Sequence, residues 1–158
     1  MQGNGKIITT LNELLADELT AISQYMVHSE MCDNWGYDKL HKGIEAQAMD
    51  EMHHAEWLIA RLIFLEGAPI VSKLNPLKIG ATVPNMVAND MEAELAAIRA
   101  YNAGIRLAHE VDDQGTVDLL TKILKMEEDH LDWNERQRDQ IEQMGLQNYL
   151  TTQSSGAA

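Results

Sequence analysis

The sequence predicts an all-α protein: a four-helix bundle with one long crossover between helices 2 and 3 and a short fifth C-terminal helix. Four segments carry apolar residues at spacings of three and four, which is the period of an amphipathic helix. Only 5% of the residues are aromatic and only three are proline, so the composition suits long helices better than a sheet. The chain of 158 residues is long enough for one domain, expected over residues 1–150, with a polar tail at 151–158.

The four periodic segments have similar lengths, and glycine or proline stands near most of their ends. Each is about 30 residues long, or roughly 45 Å at the helical rise of 1.5 Å per residue. Gly67 is expected at the C′ position after the second helix, and Pro84 in the first turn of the third. A short segment at 147–150 predicts one further turn, after which the chain is expected to fray. The predicted helix bounds are about 6–35, 38–66, 82–111 and 113–144.

The connections predict the topology of the bundle. Only a few residues join the first helix to the second and the third to the fourth, so each pair should form an antiparallel hairpin. The link at 67–81 is longer and contains Pro69, Pro76 and Gly80. A link of this length can run along the bundle, which makes it the one long crossover.

An internal repeat indicates that the two hairpins are copies of one unit, related by a pseudo-two-fold axis. When the sequence is shifted by 76 residues, identical residues coincide at several positions that could ligate a metal. The coinciding pairs with chemically active side chains are Glu18 and Glu94, Tyr25 and Tyr101, Glu51 and Glu127, His54 and His130, and Trp57 and Trp133.

The charge and the cysteine content argue against several classes of function. A formal net charge of −13 would repel nucleic acid and anionic membranes, although acidic surfaces also serve solubility alone. Cys32 is the only cysteine, so a reducing, cytoplasmic setting without an internal disulfide is expected. The start, MQGNGKIITT, has no apolar segment of a secretion signal, and the most apolar run, 57–65, is too short to span a bilayer.

Two Glu-x-x-His motifs carry the candidate chemistry, one on the second predicted helix and one on the fourth. Residues three apart lie on one helix face, so each Glu and its His can reach a common point. A further Glu lies near the middle of each other helix, within the apolar stretches LLADELTAI and DMEAELAAI. The six candidate metal ligands are Glu18, Glu51, His54, Glu94, Glu127 and His130. This combination is the ligand set known for ferritin-like di-iron proteins.

The charge balance supports two divalent metals among these residues. Four buried carboxylates would each lose several kcal/mol of hydration and would repel one another. Two divalent ions neutralise four carboxylates, and oxygen ligands with one imidazole per metal suit Fe(II) or Mn(II). The alternative is six ordinary solvated side chains. One motif alone would favour that alternative, but two motifs with a common offset do not.

Tyr25 lies seven residues after Glu18, two helical turns away on nearly the same face. Its hydroxyl could bond a ligand carboxylate or supply an electron; alternatively, Tyr25 is a core residue with a satisfied hydroxyl. Trp133 follows His130 by three residues and allows the same two interpretations, with core packing favoured. The histidines at 28, 41, 53 and 109 have no repeat partners and are interpreted as surface or satisfied core residues.

Met52 is expected to face away from the metal ligands. Adjacent helical residues point about 100° apart, so a central Glu51 turns Met52 sideways, with the small residues Ala48 and Ala55 flanking it. An apolar side stripe on a bundle implies a partner subunit. The Met52 sulfur could be an axial haem ligand, or Met52 could fill core like most of the nine methionines. The residues of the first helix that share this rotation are Leu19, Ile22 and Met26.

With these residues in place, the chain resembles the bacterioferritin family over about residues 1–150. The stretches that carry the resemblance are LLADELTAISQY, DEMHHAEWLIARLIFLEG and KMEEDHLDW. The resemblance implies a ferroxidase for iron storage and detoxification, which oxidises Fe(II) at a di-iron centre and stores the Fe(III) mineral. It also implies a hollow 24-subunit cage built from two-fold dimers, and a small redox donor such as a ferredoxin for iron release.

The resemblance assigns roles to individual residues. The implied iron ligands are the bridging pair Glu51 and Glu127, then Glu18 with His54 at one iron and Glu94 with His130 at the other. Met52 from two subunits would ligate one b-type haem on each two-fold axis, and this haem would serve iron release.

Two other sites of the family match only in part. Certain members bind iron on the inner wall through a His and Asp50, but Ala46 stands at the His position here, so that site is not carried over. Some members have an acidic side pore, and we expect its acids to help Fe(II) pass inward. The matching acids are Glu66, Asp132 and Asp139, while the fourth pore position is Asn34.

Other functions on the same bundle are a manganese catalase, a rubrerythrin-like peroxidase and a haem-binding electron-transfer protein. A rubrerythrin would add a Cys-x-x-Cys iron domain, which one cysteine excludes. A DNA-protecting mini-ferritin would place its site between subunits, without paired Glu-x-x-His motifs in one chain. Retention of a ferric mineral would separate storage from catalase activity, which releases dioxygen from peroxide.

Overall fold

A computed structural model describes residues 1–154, which form five helices and contain no strand. The predicted all-α fold class is therefore confirmed. The five helices are α1 (Gly5–Asn34), α2 (Asp38–Phe64), α3 (Val83–Glu110), α4 (Gln114–Met144) and α5 (Leu146–Gln153).

Polar side chains begin three of the long helices. The Asn4 side chain accepts a hydrogen bond from the Lys6 backbone at 2.8 Å, and Asp113 accepts one from Thr116 at 3.0 Å. Thr82 caps α3, with Pro84 in the first turn, where its missing N–H is not needed. Each cap satisfies a backbone donor that has no partner inside the helix.

The end of α2 differs from the expectation. Glu66, not Gly67, occupies the left-handed C′ position, with φ of 59°. The Gly67 N–H bonds to Leu62 O at 2.8 Å and the Glu66 N–H to Ile63 O at 3.0 Å, which is the Schellman arrangement. Gly67 is the next residue, and a Cβ there would lie 3.0 Å from the Ile8 side chain. The glycine is therefore explained by close packing against α1, and the prediction for its position was wrong by one residue.

The long helices pack as two hairpins. The α1–α2 hairpin and the α3–α4 hairpin face each other, with α1 against α3 and α2 against α4. Gly36, with φ of 81°, ends α1, and Asp112, with φ of 57°, ends α3 at the equivalent position of the repeat. The two hairpins thus turn in the same way, as two copies of one unit would.

The hydrophobic core consists of two clusters, one on each side of the bundle's middle. Each fully buried leucine contributes roughly 1.5–3 kcal/mol to stability. Fully buried members of the first cluster are Leu11, Leu15, Leu58, Leu62 and Leu120. Those of the second cluster are Tyr25, Cys32, Leu40, Met86 and Tyr149. On every long helix the candidate metal ligands lie between the stretches that build these two clusters.

The crossover between α2 and α3 runs along α1, as predicted. The Ile70 N–H donates to the Asn12 side chain at 2.8 Å, and the Asn75 N–H donates to Thr20 Oγ1 at 2.8 Å. Further on, the Gly80 N–H donates to His28 Nε2 at 2.9 Å. His28 is buried and its other nitrogen lies 2.9 Å from Asp90, so the interpretation of His28 as a satisfied core residue is confirmed.

The C-terminal helix is longer than predicted. It continues through Gln153, which is buried, so the expectation that the chain frays after residue 150 was wrong for 151–153. Tyr149 anchors the helix, because its buried hydroxyl donates to Gln137 at 2.7 Å. The Thr151 hydroxyl donates to the Asn148 carbonyl within the helix at 2.6 Å, so this polar side chain is compatible with the helical conformation. The rest of the expected tail, 155–158, lies outside the described residues.

None of the five helices is long and apolar enough to cross a membrane.

Candidate metal centre

Six acidic and imidazole side chains meet in the middle of the bundle. α1 and α3 each supply one Glu, and α2 and α4 each supply a Glu and a His three residues apart. All six are at least 95% buried in a single chain. They are Glu18, Glu51, His54, Glu94, Glu127 and His130. The structure therefore brings together all six metal ligands that the two motifs and the two further glutamates indicated.

The six residues form two overlapping groups. Within each group one ligand atom per residue lies within 4.8 Å of all the others. The first group contains Glu18 and His54, and the second contains Glu94 and His130. Glu51 and Glu127 belong to both groups, so these two carboxylates lie between the two positions that a metal could occupy.

The imidazole nitrogens face the shared carboxylates. His54 Nδ1 lies 2.9 Å from Glu127, 3.0 Å from Glu51 and 3.5 Å from Glu18. His130 Nδ1 lies 3.0 Å from Glu51, and the two imidazole rings are 6.2 Å apart. Each histidine therefore presents the same ring nitrogen to the centre.

Two carboxylate oxygens at the centre, Glu18 Oε2 and Glu94 Oε2, are buried without a hydrogen-bond donor, and Glu127 Oε1 has only His54 Nδ1 nearby, at 2.9 Å. A buried acceptor without a partner costs about 1–3 kcal/mol or more when it is charged, so such atoms need an explanation. Bound cations supply one, because they would accept lone pairs from these oxygens. The donor set therefore fits two divalent metal ions with oxygen-rich coordination.

The pKa values of several ligand side chains are shifted in the metal-free centre, so these side chains hold protons that a metal would replace. Burial and the neighbouring carboxylates hold the pKa of Glu51 and of Glu127 well above the usual range. Burial alone would lower the pKa of His54 and of His130, but the facing carboxylates outweigh it and raise both to about 9. Without metal, protons partly neutralise the cluster, and metal binding must displace them.

Two tyrosines bond the carboxylates that belong to only one ligand group, Glu18 and Glu94, and each bond crosses from one hairpin to the other. Tyr25 of the first hairpin donates to Glu94 of the second at 2.5 Å. Tyr101 of the second hairpin donates to Glu18 of the first. Burial and the adjacent carboxylate raise the pKa of each phenol well above its usual value. Tyr101 was not among the predicted site residues, although the 76-residue repeat pairs it with Tyr25.

The predicted side stripe lies on the outside of the α1–α2 hairpin. Met52 is 37% exposed and Met26 is 54% exposed, while Leu19 and Ile22 are partly buried against the core. Met52 therefore does face away from the neighbouring Glu51. The flanking alanines, Ala48 and Ala55, are buried in the subunit's own core.

The acids expected at a side pore are exposed, and each has a cation nearby. Asp132 lies 2.7 Å from Arg136 and Asp139 lies 2.9 Å from Arg138. The third acid, Glu66, lies 3.7 Å from the N-terminal ammonium. These pairs reduce the negative charge that the acids would present to an approaching cation.

Comparison with known proteins places this arrangement in one family. A family model described as a ferritin-like domain matches residues 8–144. A bacterial ferritin of Synechocystis sp. is 40% identical over 156 residues, 98% of this chain and 100% of that protein. One of Paramagnetospirillum magnetotacticum is 41% identical over 162 residues, 100% and 98% of the two chains. A bacterioferritin of Streptomyces coelicolor is 40% identical over 152 residues, 96% and 91% of the two chains.

Proposed function

The chain belongs to the ferritin-like family, with bacterioferritins among its relatives, and we propose that it stores iron by oxidising Fe(II) at the six-residue centre. Fe(II) is the substrate. Each pair of Fe(II) gives up two electrons, which dioxygen takes with two protons to form hydrogen peroxide. Hydrogen peroxide can itself take two electrons and two protons to form two waters. The Fe(III) then leaves for the mineral.

The overlap of the two ligand groups is the observation that carries this proposal. Two Fe(II) ions need two coordination sites close enough for one oxidant to accept an electron from each. Glu51 and Glu127 belong to both groups, so they would bridge the two ions. Glu18 with His54 would complete one site, and the equivalent pair on the other hairpin would complete the second. The four carboxylates match the charge of two divalent ions.

The surrounding residues orient the ligands and exclude water. The hydroxyls of Tyr25 and Tyr101 each bond one oxygen of Glu94 and of Glu18, and the second oxygen of each carboxylate is buried without a donor and available to a metal. Their positions next to the ligands also suit them to supply an electron. The two core clusters close the centre above and below, so the ligands keep their geometry when the charge of the iron changes.

The assembly proposed for this function is a homo-oligomeric cage, a 24-mer built from two-fold dimers. The side stripe of Met52, Met26, Leu19 and Ile22 would lie at the two-fold contact. At such a contact a residue on the axis meets its own copy. Two copies of Met52 would then hold one b-type haem between them through their sulfur atoms, giving half a haem per subunit.

The haem, when bound, would pass electrons inward to the ferric mineral. A small redox donor, such as a ferredoxin, would supply those electrons for iron release. We place the protein in the cytoplasm, because a reducing compartment keeps a single thiol such as Cys32 reduced.

Rapid mixing of the metal-free protein with Fe(II) in air tests the proposal. The parent protein should oxidise the first two Fe(II) per subunit in a fast phase and should retain a soluble ferric mineral. Glu127→Ala should lose the fast phase because it removes a ligand common to both sites. Glu128→Ala is the matched control, since this exposed neighbour should leave the fast phase unchanged.

An unchanged fast phase in Glu127→Ala would refute the proposal. Release of dioxygen from hydrogen peroxide without retained mineral would show a di-metal catalase on the same bundle instead.

A further inference from the structure

The two histidines of the centre differ in what contacts Nε2, the ring nitrogen that does not face the shared carboxylates. His130 Nε2 lies 2.9 Å from the carboxylate of Asp50. His54 Nε2 lies 3.3 Å from the thioether sulfur of Met126. Positions 50 and 126 are equivalent in the 76-residue repeat, so the same place in the two hairpins holds a carboxylate once and a thioether once.

This difference bears on how strongly each imidazole can hold a metal. When Nδ1 of a histidine ligates a metal, Nε2 carries the proton and donates it to a neighbour. A carboxylate is a charged acceptor, which fixes the ring and makes the ligand nitrogen more basic. A thioether is a weak, neutral acceptor and does neither to the same degree.

The next neighbours increase the difference. The Trp57 ring lies 5.6 Å from the His54 ring, and the ammonium of Lys122 lies 3.8 Å from the centre of that indole. Position 122 is equivalent to Ala46, so the other hairpin has no cation at this place. The His54 end of the centre therefore carries an extra positive charge, and the His130 end carries the negative charge of Asp50.

We infer that the two metal positions of one subunit are inequivalent: the position at Glu94 and His130 binds a divalent ion more tightly and fills first. Asp50 is the positioning residue that raises the metal affinity at Glu94 and His130. Met126 gives no comparable support, so the metal affinity at Glu18 and His54 is lower. Outer contacts of this kind change metal affinity about 10- to 100-fold. The inference rests on the proposed ligand set and concerns the order in which that set is filled.

Co(II) is the probe, because it binds such ligands without being oxidised by air under mild conditions. Calorimetric titration of the metal-free, assembled protein should show two steps of one ion per subunit, separated about 10- to 100-fold in affinity. Crystals soaked with one Co(II) per subunit should show anomalous scattering mainly beside His130. Neither readout depends on turnover.

Exchanging the two outer residues gives the matched variant. The double variant Asp50→Met, Met126→Asp has the same composition and net charge as the parent, and the first Co(II) should now appear beside His54. Asp129→Asn, an exposed acid next to His130, serves as the control and should leave the order unchanged.

The outcomes separate this inference from the proposed function. Equal occupancy of both positions in the parent protein would overturn the inference and leave the proposed function intact. The same filling order in the parent and in the exchanged variant would show that Asp50 and Met126 do not set it. Co(II) that does not bind at the six residues at all would overturn the proposed function as well. If the exchanged variant does not fold, the occupancies in the parent alone decide.

Discussion

The two hairpins have nearly the same inner face but different outer faces. Inside, each supplies a Glu, a Glu-x-x-His motif and a tyrosine at equivalent positions. Outside, the exposed methionines of the first hairpin, at 26, 49 and 52, correspond to Asn102, Lys125 and Glu128 of the second. The inner face is thus duplicated for one chemistry, whereas at these three positions the outer face is apolar only on the first hairpin.

The difference indicates which surface meets another copy of the chain. A polar surface such as that around Glu128 is stable in water, whereas a stripe of exposed methionines gains stability when it is covered. The α1–α2 hairpin is therefore the side on which we expect the two-fold contact and the haem.

The largest expected effect is the loss of haem from Met52→Leu. The parent protein should contain half a haem per subunit, and this variant should contain none, because leucine has no sulfur to ligate iron. Haem content is measured from the absorption spectrum of the assembled protein, and cage size from its native mass. Met49→Leu, which alters another exposed methionine of the same helix, should keep its haem. Retention of haem by Met52→Leu would refute the assignment.

Metal affinity should rise steeply with pH, because each hairpin contributes one histidine with a raised pKa. In the metal-free protein the pKa of His54 and of His130 is about 9, so below pH 9 a metal must displace a proton from each imidazole. The affinity for Co(II) should increase by up to about tenfold per pH unit per proton from pH 6 to 9 and then level off. Titration calorimetry in buffers of different ionisation enthalpy counts the protons released.

The same histidines predict how the stability of the metal-free protein depends on pH. A histidine whose pKa is higher in the folded than in the unfolded state stabilises the fold at low pH. That contribution is complete below about pH 6.5 and is lost as the pH rises through about 9. The melting temperature of the metal-free protein should therefore fall over this range, and that of the metal-loaded protein should fall less. A melting temperature that rose over this range would contradict the assignment.

Removing either tyrosine hydroxyl should have the same effect if the crossed arrangement is symmetric. Tyr25→Phe and Tyr101→Phe each leave a buried carboxylate oxygen without its donor, so each should lower the free energy of unfolding by about 1.5–3 kcal/mol. Tyr149→Phe is the control, because its hydroxyl bonds a neutral amide and should cost only about 0.5–1.5 kcal/mol. Denaturant unfolding of the metal-free proteins gives these values. Clearly unequal losses for the first two variants would break the symmetry.

The smallest expected effect comes from the acids proposed for a side pore. Changing Glu66 to Gln and both Asp132 and Asp139 to Asn should slow iron uptake at low salt by less than about tenfold, because each acid already has a cationic neighbour. The difference should vanish at high salt, where charges are screened. Uptake that stays unchanged at low salt would end the proposal that these acids guide Fe(II).

The sequence predicted the ligands because each motif lies on one helix, where spacing alone decides which side chains share a face. It also predicted the crossover, from the length of the link and its prolines. Contacts between helices were harder to predict. The repeat pairs Tyr25 with Tyr101, but only the packed bundle shows that each bonds the carboxylate of the opposite hairpin. The contact of Met126 with His54 likewise depends on how α2 and α4 approach each other.

Helix ends were predicted less well for a similar reason. Glycine usually occupies the left-handed C′ position, and at the end of α2 the nearest glycine is Gly67. A side chain at position 67 would clash with Ile8 of α1, so the glycine stands one residue after the C′ position. Glu66 occupies the C′ position and adopts the left-handed conformation. The extension of α5 to Gln153 was also missed because it depends on packing. The residues after 150 are polar and do not predict a helix, and only the structure shows Tyr149 anchored in the core.

Anomalous diffraction at the iron edge, from crystals of the assembled protein soaked with Fe(II) without dioxygen, locates the bound iron within each subunit. We expect two peaks within each subunit. One should lie beside Glu18 and His54, the other beside Glu94 and His130, and both should lie within coordination distance of Glu51 and Glu127. No peak among these six side chains, or a peak ligated by residues of two subunits, would show that the six residues of one chain do not form the iron site.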